Sequence, residues 1–533
     1  MGPTEDGGRS RGHADGLLRP RRLEEVHRQV REAGEDLRCG LLDALGGPAE
    51  RLAFSLECLR TQKLGRRATI ARVLLTQAFE KEGIWTIPDV EIELRGVLSF
   101  DPTIGIRLRV FASSGRFGSL IQTSGPFAIA GHVSTTEVSL IDCYPVGQSI
   151  AEGISEATFL VSRVAFGCHV ASLSELSCQG IRVSFTALDE WVAPIIPLLR
   201  ILPSAVDRIG QFSVVLTQER NRFVANHGGA SISLGFSTGW AETRSRASFD
   251  AHAQFEVTIN PPITAEQAIE RYVRPLEDFV TLATGKVNVV HELDFTRTHE
   301  TDIPARHQVA IIYQPIQLKG TAAERLLHPR GLFSLIDVEN TFAERVAGWL
   351  TAHEQYRTVC NLLFATLYNS RQYLESRFLA VLQAAEGYHR QRSDMRQVRT
   401  PVSEYRKLKK DIVCNCSTDA RDTILRGLQY ANEVSLRMRL AELNERFGSL
   451  IPGVLPSEDR DTIARDCAAA RNAFAHHLPD QLLTDHRKLH AFAEFFVRVL
   501  AVGLMLDAGF STEEVRHAML LGASLSPEMR YGA

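Results

Sequence analysis

The spacing of apolar residues along this chain takes a period of two near residue 83 and a period of about 3.6 after about Leu335, and that second change fixes what it can fold into. Val90, Ile92 and Leu94 alternate with Glu91, Glu93 and Arg95, and Ile104, Ile106, Leu108 and Val110 resume the alternation beyond a turn containing Pro102. This predicts an antiparallel hairpin with one buried face. Shorter alternations recur at Ile181, Val183 and Phe185 and at Phe255, Val257 and Ile259, with Asn226-His227-Gly228-Gly229 as an intervening turn. Residues 80–330 are therefore expected to be strand-rich, interrupted by a helix from Ala265 to Ala283. After about Leu335 the helical period takes over. Helices are predicted over Thr341–Tyr368, Arg371–Gln391, Asp422–Phe447, Asp459–His477 and Thr484–Leu506, and Ser511 with Glu514 three residues later forms a capping box that opens one more.

The expected fold class is α+β multidomain: a β-rich domain over 80–330, then an all-α bundle over 335–525. Residues 1–16, rich in Gly, Arg and Asp, are expected to be disordered, and Leu17 to Phe79 reads as a helical extension.

Charge narrows the partners. Sixty Lys and Arg against 63 Asp and Glu leave a net charge of -3, which excludes a basic coat over the whole protein and confines any polyanion site to a local patch. The N-terminal residues lack the apolar stretch of a signal peptide, and no uninterrupted apolar run reaches about 18 residues, so a cytoplasmic protein without a membrane span is expected. Nine cysteines are scattered, with Cys414 and Cys416 the only close pair, so no structural zinc of finger type, no other metal and no cofactor are expected. Thr284-Gly285-Lys286 fails as a phosphate loop, because Val280 stands at the upstream glycine position and Val287 replaces Ser or Thr.

The segment Ala468-Ala469-Ala470-Arg471-Asn472-Ala473-Phe474-Ala475-His476-His477 carries the clearest chemistry. It contains Arg-x4-His. Two further pairs, Arg22/His27 and Arg222/His227, share that spacing, but only Arg471/His476 lies on a small-residue-rich helix within the bundle. At 100° per residue Asn472 and His476 share a face, whereas Arg471 stands about 140° from His476. One straight helix cannot aim both at one small target unaided, and the alanines would let a second copy of the helix approach. An imidazole exchanges protons near neutral pH, a guanidinium holds a phosphate bidentately, and an Asn can fix the imidazole tautomer.

Arg471-Asn472-Ala473-Phe474-Ala475-His476-His477 resembles the R-x4-H motif of HEPN-domain ribonucleases. The whole arrangement resembles the ApeA-like subset of anti-phage HEPN proteins, whose β-rich N-terminal domain is entered by a strand of the kind read here as Gly83-Ile84-Trp85-Thr86-Ile87-Pro88. The resemblance implies a metal-independent endoribonuclease acting in abortive-infection defence, with two copies of the motif meeting at a homodimer or in a higher assembly. It implies host or phage RNA as substrate, cleaved by attack of the ribose 2′-OH, and a phage-encoded protein as a trigger. Arg471, His476 and Asn472 would be the catalytic set, with Glu386 on an earlier helix as a further polar group.

Gly387–Lys410 concentrates eight basic residues against two acidic ones, and Arg390, Arg392, Arg396, Arg399, Lys407, Lys409 and Lys410 are the candidate RNA-tracking residues. Two other readings stay open: a catalytically silent HEPN bundle that dimerises and binds RNA or protein, and a ligand-binding β-domain merely oligomerised by the bundle.

Overall fold

The computed structural model describes residues 74–88, 93–113, 125–151, 154–193, 200–203, 212–215, 223–243, 246–297, 308–313, 331–369, 372–452, 460–476 and 485–521, all within one compact unit, Arg72–Ala533. The expected tail and most of the helical extension lie outside these residues.

The strand region has two parts joined by one long strand. β1 (Phe79–Thr86), β2 (Glu93–Asp101), β3 (Gly105–Ser113), β4 (Phe127–Val133), β5 (Thr136–Ala151) and β6 (Ile154–Phe166) pair antiparallel in the ring β1-β2-β3-β6-β5-β4, and β4 returns to β1. The alternation of Leu94, Leu98, Ile106, Leu108 and Val110 with polar residues is the inside-outside pattern of this closed barrel. Closure gives each of the six strands a partner on both sides.

The Gly-x-Trp strand acquires a physical meaning here. Trp85 is fully buried, and its indole lies where three glycines make room: a Cβ on Gly83 or Gly96 would stand 3.0 Å from the ring, and one on Gly131 would overlap it. Gly83 and Gly96 are cross-strand partners, and Gly131 is paired with Trp85 itself.

β6 runs on to pair with β14 (Gln308–Tyr313), which leads into an open antiparallel sheet. Its order is β14, β13 (Val290–Arg297), β7 (Ser177–Phe185), β12 (Arg246–Thr264), β11 (Ala230–Thr243) and β10 (Val224–His227). β8 (Arg200–Pro203) and β9 (Phe212–Val215) form a separate hairpin. A short helix α1 (Leu188–Val192) packs on this sheet through Trp191, which stacks near Phe255 and edge-on to Phe279. α2 (Ala265–Ala268) opens on a full capping box made by Thr264 and Gln267, passes through a π-turn at Ile269–Val273, and continues as α3 (Arg274–Thr284), which ends at left-handed Gly285.

The helical region follows as expected, with three corrections. Thr341–Tyr368 is two helices, α4 (Phe342–Gln355) and α5 (Arg357–Tyr368), broken at Tyr356. α6 (Leu374–Gln391) follows, and the segment read only as a basic run contains α7 (Val402–Cys414). Asp422–Phe447 is also interrupted: α8 (Arg421–Gly427) stops, and α9 (Leu436–Phe447) restarts on Ser435, whose hydroxyl accepts from Met438 N. α10 (Arg460–His476), α11 (His486–Asp507) and α12 (Thr512–Leu521) match their expected positions, and the Ser511/Glu514 capping box forms. α11 is long and apolar enough to cross a membrane, but 83% of its apolar window is buried, and it packs on α4, α6, α9 and α12 as the core helix of the bundle.

α3 joins the two regions. Phe279 touches Trp191 on one side and Trp349 of α4 on the other, and Trp349 donates its indole N–H to Pro275 O at 2.7 Å. Beside them Asp278, buried, bonds His353 Nε2 at 2.8 Å and accepts from the Tyr368 hydroxyl at 2.5 Å. Burial raises its pKa above the usual carboxylate range. A cavity of about 610 Å³ adjoins this joint, lined among others by Glu277, Tyr313 and Asn361. Burial, and secondarily Asp278, push the Glu277 carboxyl up from 4.5 to about 8.

Because the folded chain keeps Glu277 protonated while the unfolded chain ionises, stability is lost as pH rises from 4.5 towards 8. Glu277→Gln removes that loss. Its melting temperature should exceed that of the wild type at pH 8 and converge with it near pH 4.5; parallel curves would show that Glu277 is not held protonated.

Candidate active site

α10 presents two faces. Ile463, Ala464, Cys467, Ala470 and Ala473 are buried against the bundle, while Arg465, Ala469, Arg471, Asn472, Ala475 and His476 are exposed. Phe474 anchors the end of the helix by its ring contact with Phe378 of α6, at 6.1 Å. The three motif residues thus project from a helix whose opposite face is fixed. Arg471 Nη1 reaches Asn472 Oδ1 at 3.4 Å, a long bond, and Asn472 and His476 lie one turn apart on the same side. The helix is regular through His476, so the offset of Arg471 from His476 expected from helical geometry stands within one copy.

Of the other two Arg-x4-His pairs, only His227 lies among the described residues. His227 ends strand β10, with burial lowering its pKa, and Arg22, His27 and Arg222 lie outside the described residues.

Glu386 is engaged within its own helix. It accepts from Arg390 one turn along α6, at 2.9 Å, and Arg390 also reaches Glu433 at 3.4 Å. The next helical turn holds a polar network that sequence reasoning missed. His389, fully buried, bonds Glu442 through Nε2 and the Arg439 guanidinium through Nδ1, both at 2.9 Å. Because Arg439 can only donate, Nδ1 accepts and Nε2 carries the proton: this is a neutral imidazole, and burial lowers its pKa. Arg377, Glu494 and Arg498 form a second buried cluster, between α6 and α11, next to the Phe378 contact. Partners 50 to more than 100 residues apart leave no local signal in a sequence.

The basic segment divides into inward-turned and exposed residues. Arg392 turns inward, 12% exposed, where its guanidinium meets Asp507 and the Tyr388 hydroxyl at 2.6 Å and Asp394 at 3.0 Å. Asp394, also paired with Arg446, is lowered to about 2, with the Arg392 hydrogen bond the largest cause. Arg396 is spent on the carbonyls of Val398 and Arg399. Arg399, Arg406, Lys407 and Lys410 are exposed and Lys409 half-buried, the last four on α7, which has no buried residue. The excursion carrying α7 and α8 is clamped at its neck: Thr400 and Asn432 exchange two bonds at 2.9 Å, and Arg399 N donates to Asn432 O at 2.8 Å.

With this geometry in place, the comparisons with known proteins define a class and then a family. Residues 379–514, spanning α6 to the start of α12, match the family model "Apea-like HEPN", so the helical region is a HEPN bundle. Residues 80–349 match "ApeA N-terminal domain 1". That match covers half of the chain, and the chain belongs to the ApeA family of HEPN proteins. No curated protein and no solved structure matches it.

The division within the basic segment is open to measurement. Arg392→Ala removes the guanidinium from Asp507 and leaves Asp394 with Arg446 alone, and should cost about 3 kcal/mol in urea unfolding. Single Lys407→Ala, Lys409→Ala and Lys410→Ala changes should stay within ~0.5 kcal/mol. A neutral Arg392→Ala would overturn the structural assignment.

Proposed function

We propose that this protein is a cytoplasmic, metal-independent endoribonuclease of abortive-infection phage defence, active as a homodimer or higher assembly. The supporting observation is the exposed set Arg471, Asn472 and His476 at the end of a regular helix in an Apea-like HEPN bundle. His476 would take the proton from the ribose 2′-OH, or return one to the leaving 5′-oxygen, for a contribution of about 10²- to 10⁴-fold. Arg471 would hold the phosphate and stabilise the charge that grows on it, and Asn472 would orient the imidazole or bond a phosphate oxygen.

The fixed offset between Arg471 and His476 supports a composite site, in which one copy's arginine serves with the other copy's histidine. Arg399, Arg406, Lys407, Lys409 and Lys410 would guide host or phage RNA, with Arg390 joining once RNA competes for its carboxylate partners. A phage-encoded protein would release the activity.

The test is cleavage of total RNA by the purified chain. Arg471→Ala and His476→Ala should each lose at least ~10²-fold in rate, EDTA should leave the wild type unchanged, and DNA should not be cut. Equal cleavage by wild type and both variants would remove the motif from the mechanism. Abolition by EDTA would point to a metal nuclease instead. A wild type without cleavage, but with RNA binding that the lysine variants weaken, would favour the catalytically silent module.

A further inference from the structure

Far from the motif in sequence, the barrel brings together three side chains of a kind that binds metal. His132 near the end of β4, Glu137 near the start of β5 and His169 just beyond β6 each offer a ligand atom, and these atoms all lie within 4.8 Å of one another. All three residues are exposed, and among the described residues no ion pair or hydrogen bond ties them to each other.

The convergence is built by the backbone. His132 and Glu137 are directly opposed partners across the β4–β5 hairpin, so their side chains rise from the same face. The turn between them carries Ser134 at φ 55, which keeps the hairpin tight. His169 is delivered by the chain leaving β6. Gly167 N donates to Glu137 O at 2.8 Å. Next, the buried Ser139 hydroxyl donates to Cys168 O at 3.0 Å and accepts from Val170 N at 2.8 Å. One serine therefore pins the residues on both sides of His169, and the two imidazole rings stand 5.0 Å apart.

We propose that His132, Glu137 and His169 form a site for a divalent transition-metal ion, Zn²⁺ being the ion this donor set suits. Two imidazoles and one carboxylate are the ligands of three-coordinate protein sites that keep a fourth position open. Metal–ligand distances of about 2.0–2.2 Å place tetrahedral donors about 3.3 Å apart. The present separations close to that value by rotation of exposed side chains. The charge set also selects against the alternative, because the carboxylate repels an anion. The ion would staple the β4–β5 turn to the segment leaving β6, and its open position would be free for water or a donor from another molecule. The site is independent of the Arg471/His476 chemistry.

Full-length protein, stripped with EDTA and dialysed, would be titrated with Co²⁺ followed by its visible d–d absorption, and with Zn²⁺ by calorimetry. The wild type should take up one ion with a tetrahedral-type Co²⁺ spectrum and melt at a higher temperature with Zn²⁺. His132→Ala and His169→Ala should each weaken that binding by at least about 100-fold, since loss of a mere supporting contact to a ligand costs 10- to 100-fold. Both residues are exposed, so the stripped variants should melt with the stripped wild type, which verifies their fold. Absence of a bound ion in the wild type, or uptake unchanged in both variants, overturns the site. RNA cleavage in EDTA is a separate readout, so failure here and failure of the nuclease reading are distinguishable.

Discussion

The buried carboxylate of Asp278 is the constraint on which the joining of the two regions depends. A carboxyl taken out of water costs several kcal/mol unless it is bonded, and both of its side-chain partners come from the helical region: His353 on α4 and Tyr368 on α5. The surrounding packing repeats the arrangement in apolar terms, since Phe279 bridges Trp191 of the sheet region and Trp349 of α4. Separating α3 from α4 and α5 would strand the carboxylate and open that aromatic contact together. The N-terminal family model ends at residue 349, and the HEPN model begins at 379. Trp349 is thus the last residue of the first match, and His353 and Tyr368 lie between the matches. The linking helices are therefore the joint itself.

Packing continues from that joint towards the motif. α5 lies on α6, and α6 meets α10 where Phe378 contacts Phe474, two residues past Asn472. A regulatory signal from the strand region would have a contiguous path through packed side chains, which is a requirement for coupling and not a measure of it.

What the sequence disclosed follows from the range of each interaction. Alternation at 94–110 and the helical period after 335 are local, and both regions were legible, as was the Ser511 cap, while Val90 and Ile92 lie outside the described residues. The breaks at Tyr356 and after Gly427 were not. Leu425, Leu428, Ala431 and Val434 keep helical spacing through a stretch that leaves α8 and turns, because Val434 N and Asn432 bond back to Gln397, Arg399 and Thr400. Barrel closure was likewise invisible: pairing of β4 with β1, and of β5 with β6, is a matter of register. The same limit applies to charge. Counting gave Arg392 the same standing as Lys407, yet Asp507, 115 residues away, draws one inward while the other stays in water.

For the motif, sequence and structure supply different halves of one argument. Spacing placed Asn472 and His476 on one side of a helix and Arg471 off it, and the structure keeps this stretch α-helical through His476. Arg471 is left with a long bond to Asn472, and the whole set faces outward. A phosphate held by Arg471 could meet His476 of the same copy only if the long arginine side chain wrapped round the helix, at a cost in side-chain entropy. A second helix laid against the exposed Ala469 and Ala475 could supply the missing group with both side chains extended. Under the proposed nuclease reading, a site shared between two chains would avoid that cost, and assembly itself would then control when cleavage begins.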